Sequence, residues 1–169
     1  MDLSADALKS NLSNPQRRYL WDMIFTNPIG GGDSNMLQVR CRSSSMLGRS
    51  FGRIELPYKG SGGIVYPGKV VYSHSWECTF VEGEDGKVRD AVLAWMQAIC
   101  NDYTLIGTGD SLIKSTAYLK LGSTAGGETK KIKMIGVWPQ ALPDESVSHS
   151  VTDELTYSVT WAYDRWEDA

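Results

Sequence analysis

Histidine, cysteine and long apolar runs are scarce in this chain, and each scarcity narrows the functions open to it. The two histidines, His74 and His149, leave few ligands for a zinc site, which needs three or four. Three widely spaced cysteines do not form a disulfide framework, so we expect reduced and mostly buried thiols. No apolar run approaches the about 20 residues that cross a bilayer, and the first residues lack the features of a secretory signal. These absences predict a protein that folds in a cytoplasm without inserting into a membrane.

A strong excess of charge of one sign is also missing. The 169 residues carry a net charge of −3, which gives no basic surface for specific nucleic-acid binding. Hydrophobic residues make up 41% of the chain and charged residues 22%, an ordinary globular composition. The length suits one domain with a sizeable core, or one domain with a tail.

Sequence motifs that carry chemistry are absent as well. None of the glycine clusters has the form of a phosphate-binding loop, and no nucleophile elbow is present. His74 and Cys78 are four residues apart, which indicates a core cysteine beside a histidine at a strand edge. Asp144-Glu145 and Asp153-Glu154 are typical of solvated loop charges. We therefore expect no enzyme, no cofactor and no metal site.

What the sequence does contain is alternation between apolar and polar residues. Leu155–Glu167 reads LTYSVTWAYDRWE, a period of two that predicts a strand with one buried face. The other predicted strands are Asn35–Ser43, a long irregular hairpin over Arg53–Tyr72, Ser75–Val81, and a second hairpin of Ser115–Leu121 and Thr129–Val137. Trp138-Pro139 is expected to end the last of these strands sharply.

Two segments show helical spacing. In Glu84–Cys100 the apolar residues recur every three or four positions, with Asp85 as a plausible N-cap. Met1–Ser13 fits a short amphipathic helix, whereas Pro15–Asp33 is an apolar cluster too irregular for a strand. We therefore predict an N-terminal helix and interaction arm over residues 1–34 and a β domain over 35–169.

The order of elements predicts an α+β fold that is mainly β. Antiparallel strands would pack as a sandwich or small barrel, with one helix on its flank. The tryptophans on predicted buried faces indicate core packing in preference to a ligand pocket. The predicted core comprises Trp76, Phe80, Val88, Val92, Trp95, Trp138, Tyr157 and Trp161.

Several motifs, taken in order, resemble one family. They are a first cysteine-containing strand (LQVRCRSS), a glycine-rich hairpin, and a strand with a central Trp (SHSWECTFV) leading into a helix with an internal Trp (VRDAVLAWMQ). A lysine-rich strand ending in GVWP and a last alternating strand ending in YDRWE follow. Over roughly Met36 to Glu167 this set resembles the tail tube protein of contractile-tailed bacteriophages.

The resemblance implies two packed antiparallel sheets, six copies closing into a ring, and rings stacking into a hollow tube inside a contractile sheath. It also implies assembly in the host cytoplasm and a place in the virion tail. The implied partners are further copies of the chain and the sheath, baseplate, tail terminator and tape-measure proteins. DNA would pass through the lumen without specific binding. Type VI secretion tube proteins share this architecture.

The resemblance suggests two sets of surface residues. Polar residues opposite the apolar faces of two strands would line the lumen: Glu77, Thr79, Thr156, Ser158 and Thr160. Residues in irregular segments would contact other subunits: Trp21, Phe25, Met46, Arg49, Lys59, Ser61 and Tyr66. Cys100 is the cysteine best placed for an intersubunit cross-link. The alternatives are a lipocalin-like or other small β-barrel ligand-binding protein, and the tube protein of a secretion system or phage-derived injection particle.

Overall fold

The structure, a computed structural model, describes residues 16–26, 28–29, 33–58, 61–101, 107, 109–150 and 152–169. The strands are β1 (Trp21–Phe25), β2 (Cys41–Ser44), β3 (Ser50–Tyr58), β4 (Ser61–Val71), β5 (Ser75–Val81), β6 (Ser115–Gly122), β7 (Glu128–Ala141), β8 (Thr156–Ala162) and β9 (Arg165–Asp168). The helices are α1 (Ser34–Arg40), α2 (Lys87–Ile99) and α3 (Asp110–Ile113). Every strand pairing is antiparallel, which confirms the predicted mainly β fold class.

Seven of the strands belong to one sheet, and β3 and β4 form a separate hairpin. The sheet order is β1-β6-β7-β8-β5-β2, and β9 also pairs with β7. The long strand β7 joins the two halves of this sheet: its first part pairs with β6 and β9, and its last part pairs with β8. Both predicted hairpins, β3–β4 and β6–β7, are confirmed.

The two halves of the sheet fold over onto each other. Phe25 on β1 lies with its ring centroid 4.5 Å from that of Trp161 on β8, although β1 and β8 are three places apart in the sheet order. The change of partner along β7 occurs at Gly136, whose φ of 73° is left-handed and favours glycine. A Cβ atom there would overlap the Asp164 carboxylate. The result is a two-layered sandwich that does not close into a barrel.

Aromatic side chains from both halves fill the space between the layers. Phe25, Trp76, Trp95 and Trp161 contact one another with centroid separations of 4.5–6.5 Å. Seven of the eight residues predicted for the core are buried: Trp76, Phe80, Val88, Val92, Trp95, Tyr157 and Trp161. Trp138 is only half-buried, because it lies where β7 leaves β6 and joins β8.

Helix α2 packs against the sheet through Val88, Val92 and Trp95, the face that its spacing predicted. The predicted cap at Asp85 is wrong. The N-cap residue is Gly86, and the carboxylate of Glu82 accepts hydrogen bonds from the backbone N–H groups of the first turn. Anionic oxygens at that position satisfy unpaired amides at the positive end of the helix dipole.

The strand predicted over Asn35–Ser43 is wrong for most of its length. Residues Ser34–Arg40 form α1, whose N-cap Asp33 accepts a hydrogen bond from the Asn35 backbone N–H at 2.9 Å. Only Cys41–Ser44 is extended. The alternating residues Leu37 and Val39 therefore do not share a face, since Leu37 is 1% exposed and Val39 is 83% exposed.

Two predicted strand boundaries also differ. Strand β7 continues through Pro139, which pairs with Trp161 across a bulge where a proline is tolerated. The last predicted strand is two strands, β8 and β9, separated by a break at Tyr163-Asp164. The break allows β9 to pair with the first part of β7 while β8 pairs with its end.

The predicted N-terminal arm contributes a strand to the sheet. Trp21–Phe25, which lacked a strand pattern, pairs with β6 as β1 and buries Met23 and Phe25. The helix predicted over Met1–Ser13 lies outside the described residues. A length of five residues is too short for alternation to stand out from the flanking turns, which explains the missed strand.

Candidate assembly surfaces

The β3–β4 hairpin, hereafter the ribbon, has one apolar and one mixed face. Directly opposed residues of antiparallel strands share a face, so the pairs Ile54–Tyr66 and Leu56–Ile64 build one side. These four side chains belong to residues that are 48–54% exposed. The other side carries the Arg53–Glu55 ion pair, with 2.8 Å between Nε and Oε1. A two-stranded ribbon is marginally stable alone, so its exposed apolar face is suited to a partner.

The base of the ribbon is attached to the sheet by what we term the Trp166 clasp. The guanidinium of Arg49, just before β3, lies 4.6 Å from the Trp166 ring centroid on β9. The Trp166 indole N–H donates to the Gly48 carbonyl at 3.3 Å, and the Tyr72 ring meets the indole edge-on at 6.5 Å. Because Arg49 directly precedes β3 and Tyr72 directly follows β4, the clasp restrains both strands at the base of the ribbon.

The chain leaves the ribbon through a second set of contacts. His74 has a φ of 53°, unusual for a residue other than glycine, and its Nδ1 lies 2.9 Å from the Tyr163 carbonyl oxygen. The Ser73 and Tyr163 hydroxyl groups share a hydrogen bond of 3.0 Å. The His74 side chain therefore stabilises the backbone turn that precedes β5.

The outer face of β5 and β8 carries the five residues predicted to line a lumen. Glu77 lies opposite Thr160, Thr79 opposite Ser158, and Val81 opposite Thr156. None of the five is buried, and the Thr79 and Ser158 hydroxyl groups share a hydrogen bond of 3.2 Å. The face carries hydroxyl groups, one exposed carboxylate and the half-buried Val81, and the apolar residues on the opposite face of the same strands point into the core.

A groove of about 400 Å³, hereafter the seam groove, lies where the first and last strands of the sheet fail to close the barrel. Its lining comes from β1, β6, the end of β2 with the loop that follows it, and the segment just before β1. The lining residues are Gln16, Arg17, Arg18, Trp21, Ser44, Met46, Leu119 and Leu121. The groove is apolar along its walls, with two arginines at the N-terminal side.

The residues predicted to contact other subunits fall into different environments. Trp21 and Met46 line the seam groove, Arg49 belongs to the clasp and Tyr66 lies on the apolar face of the ribbon. Ser61 begins β4, and Lys59 lies outside the described residues. The prediction that Phe25 contacts another subunit is wrong. Phe25 is 1% exposed and packs in the core, where no neighbouring subunit can reach it.

A network of charges joins α1 to the start of α2. Arg40 donates from Nη1 and Nη2 to the two carboxylate oxygens of Asp85, at 2.8 and 2.9 Å, and also reaches Glu82 at 3.3 Å. The hydrogen bonds from Arg40 hold the pKa of Asp85 well below its ordinary value. A similar hydrogen bond from Lys120 lowers the pKa of Glu128, the first residue of β7.

The three cysteines are free and differ in accessibility. Cys78 is buried, Cys41 is half-buried and Cys100 is exposed at the end of α2. Burial is the main cause that raises the pKa of Cys78 well above its ordinary value, and the neighbouring Cys41 thiol adds to the effect. The raised pKa keeps the Cys78 thiol protonated. The searched part of the chain contains no group of three or more metal-ligating side chains, and none of its helices could span a membrane.

Sequence reasoning missed the clasp and the seam groove. In the sequence Trp166 is distinguished only as part of the motif YDRWE, and its partner Arg49 is more than a hundred residues earlier. No local pattern connects them. The local sequence signals are only that an aromatic residue, Tyr72, directly follows β4 and that another, Trp166, lies within β9.

Comparisons with protein-family models and with curated proteins find no match. Solved structures do match over nearly the whole chain. A chain in the sheath/tube terminator of an extracellular contractile injection system, PVC, in its extended state is 17% identical with a TM-score of 0.68, covering 94% of this chain and 99% of that chain. A chain in the anti-feeding prophage cap, the AFP tube terminating cap, is 20% identical with a TM-score of 0.66, covering 96% and 98%.

A third match lies in the PVC sheath-tube complex in its extended state. Identity is 17%, the TM-score is 0.63, and 99% of each chain is covered. Sequence identities this low establish a shared fold and nothing more. Because the matches cover nearly the whole of this chain, the structural resemblance extends over all the elements described above. The protein thus has the fold found in tube, cap and terminator assemblies of contractile injection systems.

Proposed function

We propose that the protein is a structural subunit of the tube of a contractile particle, in which rings of six copies stack into a hollow cylinder. The observation that carries this proposal is the ribbon. Four apolar side chains project from a fold shared with chains of sheath-tube and terminator assemblies, and the described part of the chain leaves them 48–54% exposed. Such a surface is expected where another copy covers it.

The open edges of the sheet support ring formation. Among the residues that the structure describes, β1 and β2 end the strand order and β9 pairs only with β7, so each of these strands has an edge without a partner strand there. Unpaired edges favour aggregation unless they are closed or covered. Pairing between neighbouring copies in a ring would close them, and it would turn six sandwiches into one continuous wall.

The outer face of β5 and β8 is the proposed lumen wall. This face carries hydroxyl groups and the single exposed carboxylate of Glu77, and it has almost no cationic group that could bind a phosphate. DNA would therefore pass without being held. A wall with so little charge is suited to a channel through which DNA passes. A site that binds DNA would need convergent hydrogen-bond donors, which this face does not have.

The proposed particle is a phage tail or a related injection particle. In that setting the partners are further copies of the chain, the sheath, the baseplate, the terminator and a tape-measure protein, and the location is the virion tail. A tube-terminating cap is a second candidate, because chains of the AFP cap and PVC terminator have TM-scores of 0.66 and 0.68 to this fold.

Electron microscopy of the purified protein tests the proposal. Long hollow tubes with six-fold symmetry are expected, and their reconstruction should place β5 and β8 at the inner wall. Isolated rings that never elongate would favour the terminating cap. A protein that stays monomeric at high concentration would refute both assignments and favour a small ligand-binding sandwich.

A further inference from the structure

The ribbon stands away from the sandwich along nearly its whole length. Every residue of β3 is exposed except the half-buried Gly52, and every residue of β4 from Gly62 onward is exposed except the half-buried Gly68. Within the part of the chain that the structure describes, the side-chain hydrogen bonds and ion pairs of these strands stay inside the ribbon. The ribbon therefore depends on its base for a fixed direction.

The length of the ribbon makes it sensitive to small movements at that base. A strand rises about 3.3 Å per residue, so the nine residues of β3 extend about 26 Å. A swing of about 10° at the base would displace the tip by about 5 Å, which is close to the spacing of neighbouring strands in a sheet. The direction of the ribbon must therefore be fixed if another copy is to meet it in one register.

The chain is held to the sheet shortly before and shortly after the ribbon. Before it, the Ser45 backbone N–H donates to the Glu77 carbonyl at 2.9 Å, and the Glu77 backbone N–H donates to Ser45 Oγ at 3.0 Å. After it, the His74 Nδ1 atom lies 2.9 Å from the Tyr163 carbonyl oxygen. Residues 46–49 still separate the first of these contacts from β3, so the two contacts do not by themselves fix the direction of the ribbon.

The Trp166 clasp bridges this gap. Trp166 is half-buried on β9 and packs against the core, so its indole is itself held in place. The indole N–H donates to the Gly48 carbonyl and the Arg49 guanidinium lies over the ring, so Trp166 contacts two consecutive residues of the entering chain. Tyr72 meets the same indole from the leaving chain. One indole thus ties both strands of the ribbon to the sandwich.

The side chain of Arg49 is directed to the clasp and not to an opposite charge. Its guanidinium lies 4.6 Å from the Trp166 ring centroid and 6.0 Å from that of Tyr72. Among the residues that the structure describes, Arg49 has no acidic partner. A planar guanidinium stacks on an aromatic face in a way that a lysine ammonium does not. The contact is therefore specific to arginine and an aromatic ring.

We propose that Arg49 and Trp166 are positioning residues for assembly, an inference that rests on the proposed tube function. Through the clasp they hold the ribbon in one direction relative to the sandwich, so that it meets another copy already oriented. A preorganised surface loses less conformational freedom on binding. Loss of the clasp should therefore weaken assembly while the sandwich stays folded.

Replacing Arg49 with alanine tests the clasp with little risk to the fold, because Arg49 is exposed. Its circular dichroism spectrum and melting temperature should match the wild type. Hydrogen exchange, measured below the concentration at which tubes form, should be faster in residues 46–50 and 71–74 and unchanged in β6, β7 and β8. The critical concentration for tube formation, measured by sedimentation, should rise at least about tenfold.

Two further variants serve as controls for the alanine substitution. Arg49→Lys should recover part of the loss, since an ammonium over the indole keeps a cation–π contact without the flat stacking. Arg89→Gln removes an exposed arginine from α2, outside the clasp, and should assemble as the wild type does. The pair separates loss of the clasp from loss of one positive charge.

Trp166→Leu separates a positioning role from a direct contact of Arg49 with another copy. Leucine keeps apolar volume against the core and removes both the ring and the indole N–H. A direct contact by Arg49 would leave Trp166→Leu with normal assembly, whereas the clasp predicts the same loss from either side. The double variant should assemble no worse than the more impaired single variant, because both changes remove one shared contact.

Each outcome decides between the proposals. Wild-type protein that forms no rings or tubes refutes the proposed function, and the positioning role falls with it. Normal tubes from Arg49→Ala and Trp166→Leu, or unchanged hydrogen exchange at the ribbon base, overturn the positioning role and leave the tube function standing. Effects that multiply in the double variant would assign Arg49 to a direct contact and would likewise overturn it. If Trp166→Leu fails to fold, the exchange and assembly of Arg49→Ala and Arg49→Lys decide.

Discussion

Replacing Trp95 with alanine should be among the most damaging single changes in this protein. The side chain on α2 is 1% exposed, and its indole N–H donates to the Ile113 carbonyl at 2.8 Å. Its ring lies 5.3 Å from that of Trp161 and 5.9 Å from that of Phe25, both at steep angles. It is the side chain through which the helix contacts the aromatic core.

The cost has two parts. Truncating a buried tryptophan to alanine removes about 3–5 kcal/mol through lost burial and the cavity that remains. The Ile113 carbonyl then loses its donor in a residue that is 7% exposed, which adds about 1–3 kcal/mol. Trp95→Ala should therefore lower the free energy of unfolding by about 4–8 kcal/mol, against a total of about 5–15 kcal/mol for a typical domain. For a chain of this length that corresponds to a drop in melting temperature of roughly 8–32 °C.

Urea denaturation and thermal melting, followed by circular dichroism, measure this loss. Trp95→Phe is the matched control, since it keeps a ring in the core and removes only the indole donor. It should cost less than the alanine variant. Trp138→Ala is a second control, because Trp138 is only half-buried and should cost less than Trp95. A Trp95→Ala protein that melts like the wild type would refute the packing of α2 on the sheet.

Backbone strain, thiol accessibility and acid sensitivity can each be tested with one substitution or label. Gly136→Ala should destabilise the protein by at least about 2 kcal/mol in urea, since left-handed backbone costs other residues about 1–2 kcal/mol and the new Cβ meets a carboxylate; an unchanged midpoint would contradict the left-handed conformation of Gly136 at the change of partner along β7. Iodoacetamide should alkylate Cys100 in the folded protein and spare Cys78 until it unfolds; equal labelling by mass spectrometry would exclude the assigned burial. The Asp85→Asn protein should lose the stabilisation that the hydrogen bonds from Arg40 give to the Asp85 carboxylate. In the wild type this stabilisation is complete above the ordinary aspartate pKa of 3.8 and is lost as the pH falls below that value toward the lowered pKa of the folded state. Unfolding titrations from neutral pH to about pH 2 should show the two proteins converging.

Features set by local periodicity were predictable from the sequence. The alternation in Thr156–Ala162 and the helical spacing of Val88, Val92 and Trp95 each arise from burial of one face of one element. Residues two apart in a strand, or three to four apart in a helix, must share that face. Such patterns therefore identified most of the core without any knowledge of which strands pair.

Short elements were not predictable, for a physical reason. In α1 the residues Leu37, Val39 and Cys41 alternate as they would in a strand, and only the cap at Asp33 favours a helix. Seven residues make less than two turns and cannot display a helical period clearly. Strand β1 has five residues and is stabilised by its pairing with β6, about a hundred positions later in the chain.

The assembly surfaces also divide into those that a local sequence pattern predicts and those that depend on how the strands pair. The hairpin was evident from its glycine-rich turn, and a single polar row on β5 and β8 was evident from alternation. Which face of the ribbon is apolar depends on the register between β3 and β4, including two bulges, and this register cannot be counted from one strand alone. The seam groove needs the order of all the strands, so it emerges only from the folded chain.

The long strand β7 also determines the order in which the protein can be built. Strand β1 waits for β6, β6 is completed by β7, and β8 and β9 both use β7 as their template. A chain emerging from the ribosome thus cannot complete either half of its sheet until residues 128–141 are available. The ribbon, whose paired residues are from 3 positions apart (Tyr58 and Ser61) to 21 positions apart (Ser50 and Val71), can pair much earlier. Its apolar face is consequently exposed while the rest of the sheet is still being synthesised. The interval before β7 arrives is the period when contact between nascent copies would lead to aggregation instead of ordered assembly.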